Sequence, residues 1–152
     1  MMSRNSWILL AIGGSAGLLL GAFAFQYLGG LAPCKMCIWQ RWPHGLAIVI
    51  GLIAWRAGIF AWLGGLVVAV GAGIGFYHAG VETGLFSGPD SCTSGPIGNQ
   101  SAEELLASIL NTPLVRCDEI AWSLFGISMA GWNAVLSVVL VVFWIKAAVA
   151  KA

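Results

Sequence analysis

The stretch PCKMCIWQRWPHGLAIVIGLIAW, residues 33–55, decides the fold. Its first half is polar enough for a membrane edge, with Lys35, Gln40, Arg41, Pro43 and His44 set among aromatic residues. Its second half, Gly45 to Trp55, is wholly apolar and cannot sit in water. Read as one helix it crosses the bilayer, and the chain then has four spans.

The three other runs are cleaner: Trp7 to Tyr27, Ala57 to Tyr77 and Ile127 to Ile145. A spanning helix needs about 20 apolar residues, because it rises about 1.5 Å per residue through a hydrocarbon core about 30 Å thick. Of 152 residues, 59% are hydrophobic and 9% charged, which excludes a soluble domain. The first run has Arg4 ahead of it and Ala22-Phe23-Ala24 near its end, the outline of a signal peptide. Its apolar part is too long for one and reads as a retained span. The expected fold is an all-α membrane protein, a four-transmembrane-helix bundle forming a single integral membrane domain over residues 1–152. The spans fall at 7–27, 38–55, 57–77 and 127–145, with external segments at 28–37 and 81–125.

The tryptophans fit an interfacial belt, with Trp7, Trp55, Trp62 and Trp144 toward one face and Trp39, Trp42, Trp122 and Trp132 toward the other. Gly13, Gly17 and Gly21 form a small-residue stripe, as do Gly71, Gly75 and Ala79; such stripes let helices approach closely in lipid. The Gly71-Gly73-Gly75 cluster lacks the spacing and the βαβ context of a dinucleotide site. Four spans place both termini on one side with Arg4, Arg56, Lys146 and Lys151, against Lys35, Arg41 and Arg116 on the other. This weak excess makes the termini cytoplasmic and the cysteine-bearing segments external.

In the long loop, Thr83 to Gln100 is rich in Gly, Ser and Pro and should be mobile. Ser101-Ala102-Glu103-Glu104 reads as a capping box. Leu105, Leu106, Ile109 and Leu110 follow at helical spacing, which predicts a short amphipathic helix on the membrane surface. Asn99-Gln100-Ser101 also matches a glycosylation sequon, but the helix cap is the better reading.

Four cysteines carry the chemistry. Cys34 and Cys37 form a C-x-x-C after Pro33, at a helix N-terminus where the dipole and unpaired N–H groups favour a thiolate. Arg41 lies four residues beyond Cys37 on the same face, and His44 continues that face. The alternatives are a fixed disulfide or a metal site. Zinc would need two further ligands, and Ile38 stands where haem attachment requires histidine. The residues favour a redox pair and no metal. Cys92 and Cys117 divide more evenly between a staple closing an external loop and a second redox pair. Access to Cys92 in its Gly/Ser/Pro stretch, and Arg116 beside Cys117, favour the second.

The segment Pro33-Cys34-x-x-Cys37-Ile38-x-x-Arg41-Trp42-Pro43 resembles the first external segment of the disulfide bond formation protein B (DsbB) family. Tyr77-His78-Ala79-Gly80-Val81-Glu82 and the long run from Arg116-Cys117-Asp118 to Gly131-Trp132-Asn133 resemble it too. The resemblance covers nearly the whole chain. It implies a thiol:quinone oxidoreductase of the bacterial inner membrane that reoxidises a periplasmic DsbA-type dithiol oxidase and reduces ubiquinone or menaquinone. On that resemblance, Cys92 takes the partner in a mixed disulfide, Cys117 exchanges with Cys34, and Cys37 is the thiolate that meets the quinone. Arg41 and His78 become quinone-site residues. On residues alone His78 could instead pair with Glu82 one turn on, and His44 reads as an interfacial polar residue. The competing class is a membrane transporter or assembly subunit with structural disulfides or a metal relay. Nearly bare span centres count against it. No nucleic-acid partner is expected.

Overall fold

A computed structural model of the chain describes residues 2–89, 92 and 115–150. The capping box, the surface helix expected after it and the sequon lie outside those residues. Helix α1 (Arg4–Tyr27) starts at Ser3, whose hydroxyl accepts the Ser6 N–H at 3.2 Å. Helix α2 (Lys35–Ala54) starts at Cys34 and keeps Pro43 inside it, and α3 (Phe60–Glu82) follows a tight turn. Two short antiparallel strands, β1 (Ser123–Leu124) and β2 (Ile127–Ser128), then lead into α4 (Met129–Val149). Phe125 and Gly126 join the strands with φ of 52° and 77°. Two successive positive φ values are the backbone of a type I′ turn, whose twist matches paired strands.

Helix α3 begins at Phe60 rather than Ala57, because the residues before it make the turn under Arg4. A side chain at Gly58 would put its Cβ 2.8 Å from an Arg4 guanidinium nitrogen. At its other end α3 runs on to Glu82, so His78 and Glu82 share a helix instead of opening the loop. Helix α4 starts at Met129 because the hairpin takes the residues before it. Among the described residues, α1, α3 and α4 are long and apolar enough to cross a bilayer.

The four helices form a ring in which α1 and α3 each pack against α2 and α4. One core cluster gathers Ile8, Ala47, Ala54, Ala61, Val68, Leu140 and Trp144. Trp144 is fully enclosed, so it fills this core rather than joining an interfacial belt. It fits because its neighbours are small: a Cβ on Gly64 would stand 2.6 Å from the Trp144 ring.

The two glycine stripes differ. At Gly71 a Cβ would meet Pro43 at 2.9 Å, and at Gly75 it would meet Ala134 at 3.0 Å, so this stripe is a close helix contact. Nothing lies within 4 Å of a Cβ on Gly13, Gly17 or Gly21. Gly17 and Gly21 instead line a cavity between the helices.

Overpacking a rigid ring costs about 1–3 kcal/mol. Gly64→Val should therefore lower the unfolding midpoint of the detergent-solubilised protein while leaving its helical content at low temperature intact. An unchanged midpoint in circular dichroism melts would show that the Trp144 contact does not limit stability.

Candidate functional site: a cysteine cluster beside a cavity

The second core cluster is built around the cysteines: Cys34, Met36, Val81, Cys92 and Cys117, with Cys37 and Val115 against it. It forms where the start of α2, the end of α3 and the chain on either side of the long loop converge. Cys92 and Cys117 are joined in a disulfide. Cys34 and Cys37 are thiols whose sulfurs stand 2.7 Å apart. Cys34 is the N-cap of α2, and its sulfur accepts the Cys37 N–H at 3.1 Å. The geometry therefore holds a sulfur over unpaired N–H groups at a helix start, where negative charge is stabilised.

The two thiols are not equivalent. Cys34 is 4% exposed, while Cys37 is half-buried. The hydrogen bond it shares with Cys37, together with burial, pushes the Cys34 thiol far above the usual range. The same bond holds Cys37 below that range; burial and the Glu82 charge oppose it, and Arg41 assists. That shared bond favours the proton on Cys34 and negative charge on Cys37, ahead of the apolar run of α2.

A hydrogen-bond chain links the cluster to the interior of the bundle. His78 Nε2 lies 3.5 Å from Cys34 Sγ, and its Nδ1 accepts from the Gln40 amide at 2.7 Å. Gln40 Oε1 accepts from Asn133 Nδ2 at 2.7 Å, and Asn133 Oδ1 takes the His44 Nε2–H at 3.0 Å. The tautomers follow from these partners. Both rings are about 2% exposed, so His44 is enclosed in the bundle and not interfacial. The expected His78–Glu82 pair exists only as a 4.0 Å approach. Glu82 is held instead by Ser128, whose hydroxyl donates to Oε2 and also accepts the Gly131 N–H that caps α4.

Arg41 reaches across to α1. Its Nη1 donates to Gln26 Oε1 at 2.6 Å, and its guanidinium lies 4.9 Å from the centre of the Phe23 ring. Arg116 does not serve Cys117: it forms a two-pronged pair with Asp118 at 2.9 and 2.6 Å and lies 3.5 Å from Glu119. That bond to Arg116 holds the Asp118 carboxyl below the usual range.

Cys34, Cys37, Arg41, His44 and His78 all line one cavity of about 270 Å³. Phe25 and Trp122 close part of its wall, with ring centres 4.9 Å apart. The structure thus brings Cys34, Cys37, Arg41 and His78 to a single space and sets the Cys92–Cys117 disulfide in the cluster beside it. Sequence reading missed Gln26, Gln40, Asn133 and Ser128. A signal existed: an amide inside an apolar helix must find a partner, so Gln40 and Asn133 mark where helices meet.

Comparison with known proteins gives the family. The family model for disulfide bond formation protein DsbB matches residues 3–147. A disulfide bond formation protein B from Mannheimia succiniciproducens is 35% identical, with 89% of this chain and 79% of that protein covered. Proteins of the same description from Marinobacter nauticus and a Shewanella strain are 33% and 32% identical, covering 84% and 94% of this chain and 81% and 85% of their own lengths. No solved structure matches the chain. With the match running from the start of α1 to the last turns of α4, the chain belongs to the disulfide bond formation protein B family of membrane oxidoreductases.

Proposed function

We propose that this chain is a disulfide-generating thiol:quinone oxidoreductase of the bacterial inner membrane. It reoxidises a periplasmic DsbA-type dithiol oxidase and passes the electrons to ubiquinone or menaquinone. The observation that carries the reading is the C-x-x-C pair at the start of α2, opening on the cavity that Arg41 and His78 also line. In this reading α2 is the fourth span, residues 1–152 are one membrane domain, both termini are cytoplasmic, and the cysteines face the periplasm. The clustering of Arg4 with the α2–α3 turn, and of Lys146 with the Trp7 ring at 5.1 Å, supports a common end for these basic residues.

The cavity fits a quinone ring. Among the described residues, Arg41 Nε and His44 Nδ1 are buried polar atoms without a partner, and both side chains line the space. Aromatic and apolar side chains supply the rest of a pocket for an amphipathic head group. Arg41 and His78 would hold it, with the free His44 Nδ1 beside them. When bound, the quinone supplies the acceptor for two electrons and two protons.

The protein's own steps are thiol exchanges. A partner thiolate attacks Cys92, forming a mixed disulfide and releasing Cys117. Cys117 attacks the Cys34 sulfur of an oxidised C-x-x-C pair and frees Cys37 as a thiolate. The partner's second thiol resolves the mixed disulfide, and the Cys92 thiolate then attacks Cys117, reforming Cys92–Cys117 and releasing Cys34. Two electrons have passed from partner to C-x-x-C, giving the pattern of one disulfide and two thiols seen in this structure.

The purified protein, given a reduced DsbA-type dithiol protein and a quinone, should reduce the quinone. Cys37→Ser should abolish this, and a folded wild-type protein inactive with both quinone types would refute the reading. Losing a charged hydrogen-bond donor removes about 1.5–3 kcal/mol. Arg41→Ala should therefore lower kcat/KM for quinone roughly tenfold or more while Cys92 still traps the partner. Unchanged quinone kinetics would remove Arg41 from the site.

The two thiols should also differ in alkylation. With its pKa lowered, Cys37 holds more thiolate at a given pH than an ordinary thiol, and that share falls as pH falls. Iodoacetamide at pH 7 should modify Cys37 before Cys34. Cys34→Ala removes the donated hydrogen bond, and the Cys37 rate at pH 7 should fall. Equal rates at both cysteines, read by mass spectrometry, would contradict this assignment.

A further inference from the structure

We propose that Cys34, Cys37 and His78 form a binding site for a thiophilic d10 cation such as Zn²⁺, present only while the C-x-x-C pair is reduced. The ligating atoms of the three residues all lie within 4.8 Å of one another. A tetrahedral zinc has bonds of about 2.3 Å to sulfur and about 2.0–2.1 Å to nitrogen, which sets sulfur and nitrogen about 3.6 Å apart. Cys34 Sγ and His78 Nε2 already stand 3.5 Å apart. The two sulfurs, 2.7 Å apart, must open to about 3.8 Å, a side-chain rotation that the zinc-finger spacing C-x₂-C accommodates.

The surroundings complete the site. Glu82 Oε1 lies 4.0 Å from His78 Nε2; Oε2 is engaged by Ser128, which leaves Oε1 for a fourth position. A ligating histidine needs its other nitrogen held by an outer partner, and Gln40 bonds His78 Nδ1 at 2.7 Å. Turning that amide over offers its oxygen to an Nδ1–H, and the Asn133 amide and the His44 tautomer turn with it to keep the chain. All four residues line the cavity, which gives an ion a path in. A disulfide presents no thiolate, so oxidation abolishes the site. Metal binding stands independently of the quinone reading. Only its consequence, that a bound ion withholds both thiolates from electron transfer, rests on that reading.

The test is titration of the reduced, detergent-solubilised full chain with Co²⁺ as spectroscopic probe, followed by displacement with Zn²⁺. Two thiolate ligands in a tetrahedral field should give intense visible d–d bands and sulfur-to-metal charge transfer, both absent from the oxidised protein. His78→Ala should bind Zn²⁺ at least tenfold more weakly, and Cys92→Ala/Cys117→Ala should bind as the wild type does. Equal affinity in His78→Ala, or loss of the spectrum in the double variant, would overturn the proposal. Zinc-edge X-ray absorption on the wild type decides the matter even if His78→Ala does not fold. A shell with two sulfurs and one imidazole supports the site, and any shell without imidazole refutes it.

Discussion

Inside a bilayer a side-chain amide or imidazole has no water to bond, and each such group must find its partner within the protein. The chain from His44 through Asn133 and Gln40 to His78 meets that requirement by running from α2 to α4, back to α2 and on to α3. Every link spans two helices, so the bonds fix the rotation and height of α2, α3 and α4 relative to one another. Small residues do the rest, because Gly71 lies under Pro43 and Gly75 under Ala134. The interhelical hydrogen bonds and the close contacts thus select the same arrangement. They help hold His78 at the Cys34 sulfur.

That arrangement explains the unequal thiols. Cys34 is pinned at the start of α2, enclosed, and faced by His78, while Cys37 sits one turn on with more access. A buried sulfur keeps its proton and a half-exposed one next to a donor keeps the charge. Ser128 extends the same economy of parts, since one hydroxyl both caps α4 and steadies Glu82 at the far side of the cluster. The result is a membrane protein of the disulfide bond formation protein B family whose C-x-x-C sulfurs are set at a helix start.

Much of this was legible in the residues. Apolar run lengths gave four helices close to those observed, and the C-x-x-C spacing put its two sulfurs together at a helix start, because both depend on local pattern alone. What escaped depends on rotation about helix axes, which weak periodicity in lipid does not encode. Gly13, Gly17 and Gly21 look like a packing stripe but face open space, and Trp144 looks interfacial but is core. His44 and Asn133 lie 89 residues apart in sequence and meet inside the bundle, so neither announces the other. The hairpin before α4 was missed for a different reason: strands of two residues are too short to show alternation.

The disulfide between Cys92 and Cys117 and the two free thiols at Cys34 and Cys37 have a meaning in electron counts. Four cysteines can hold two electron pairs, and here one pair is present and one is missing. Under the proposed redox role this is a two-stage accumulator stopped between stages, which a donor would fill and an acceptor would empty.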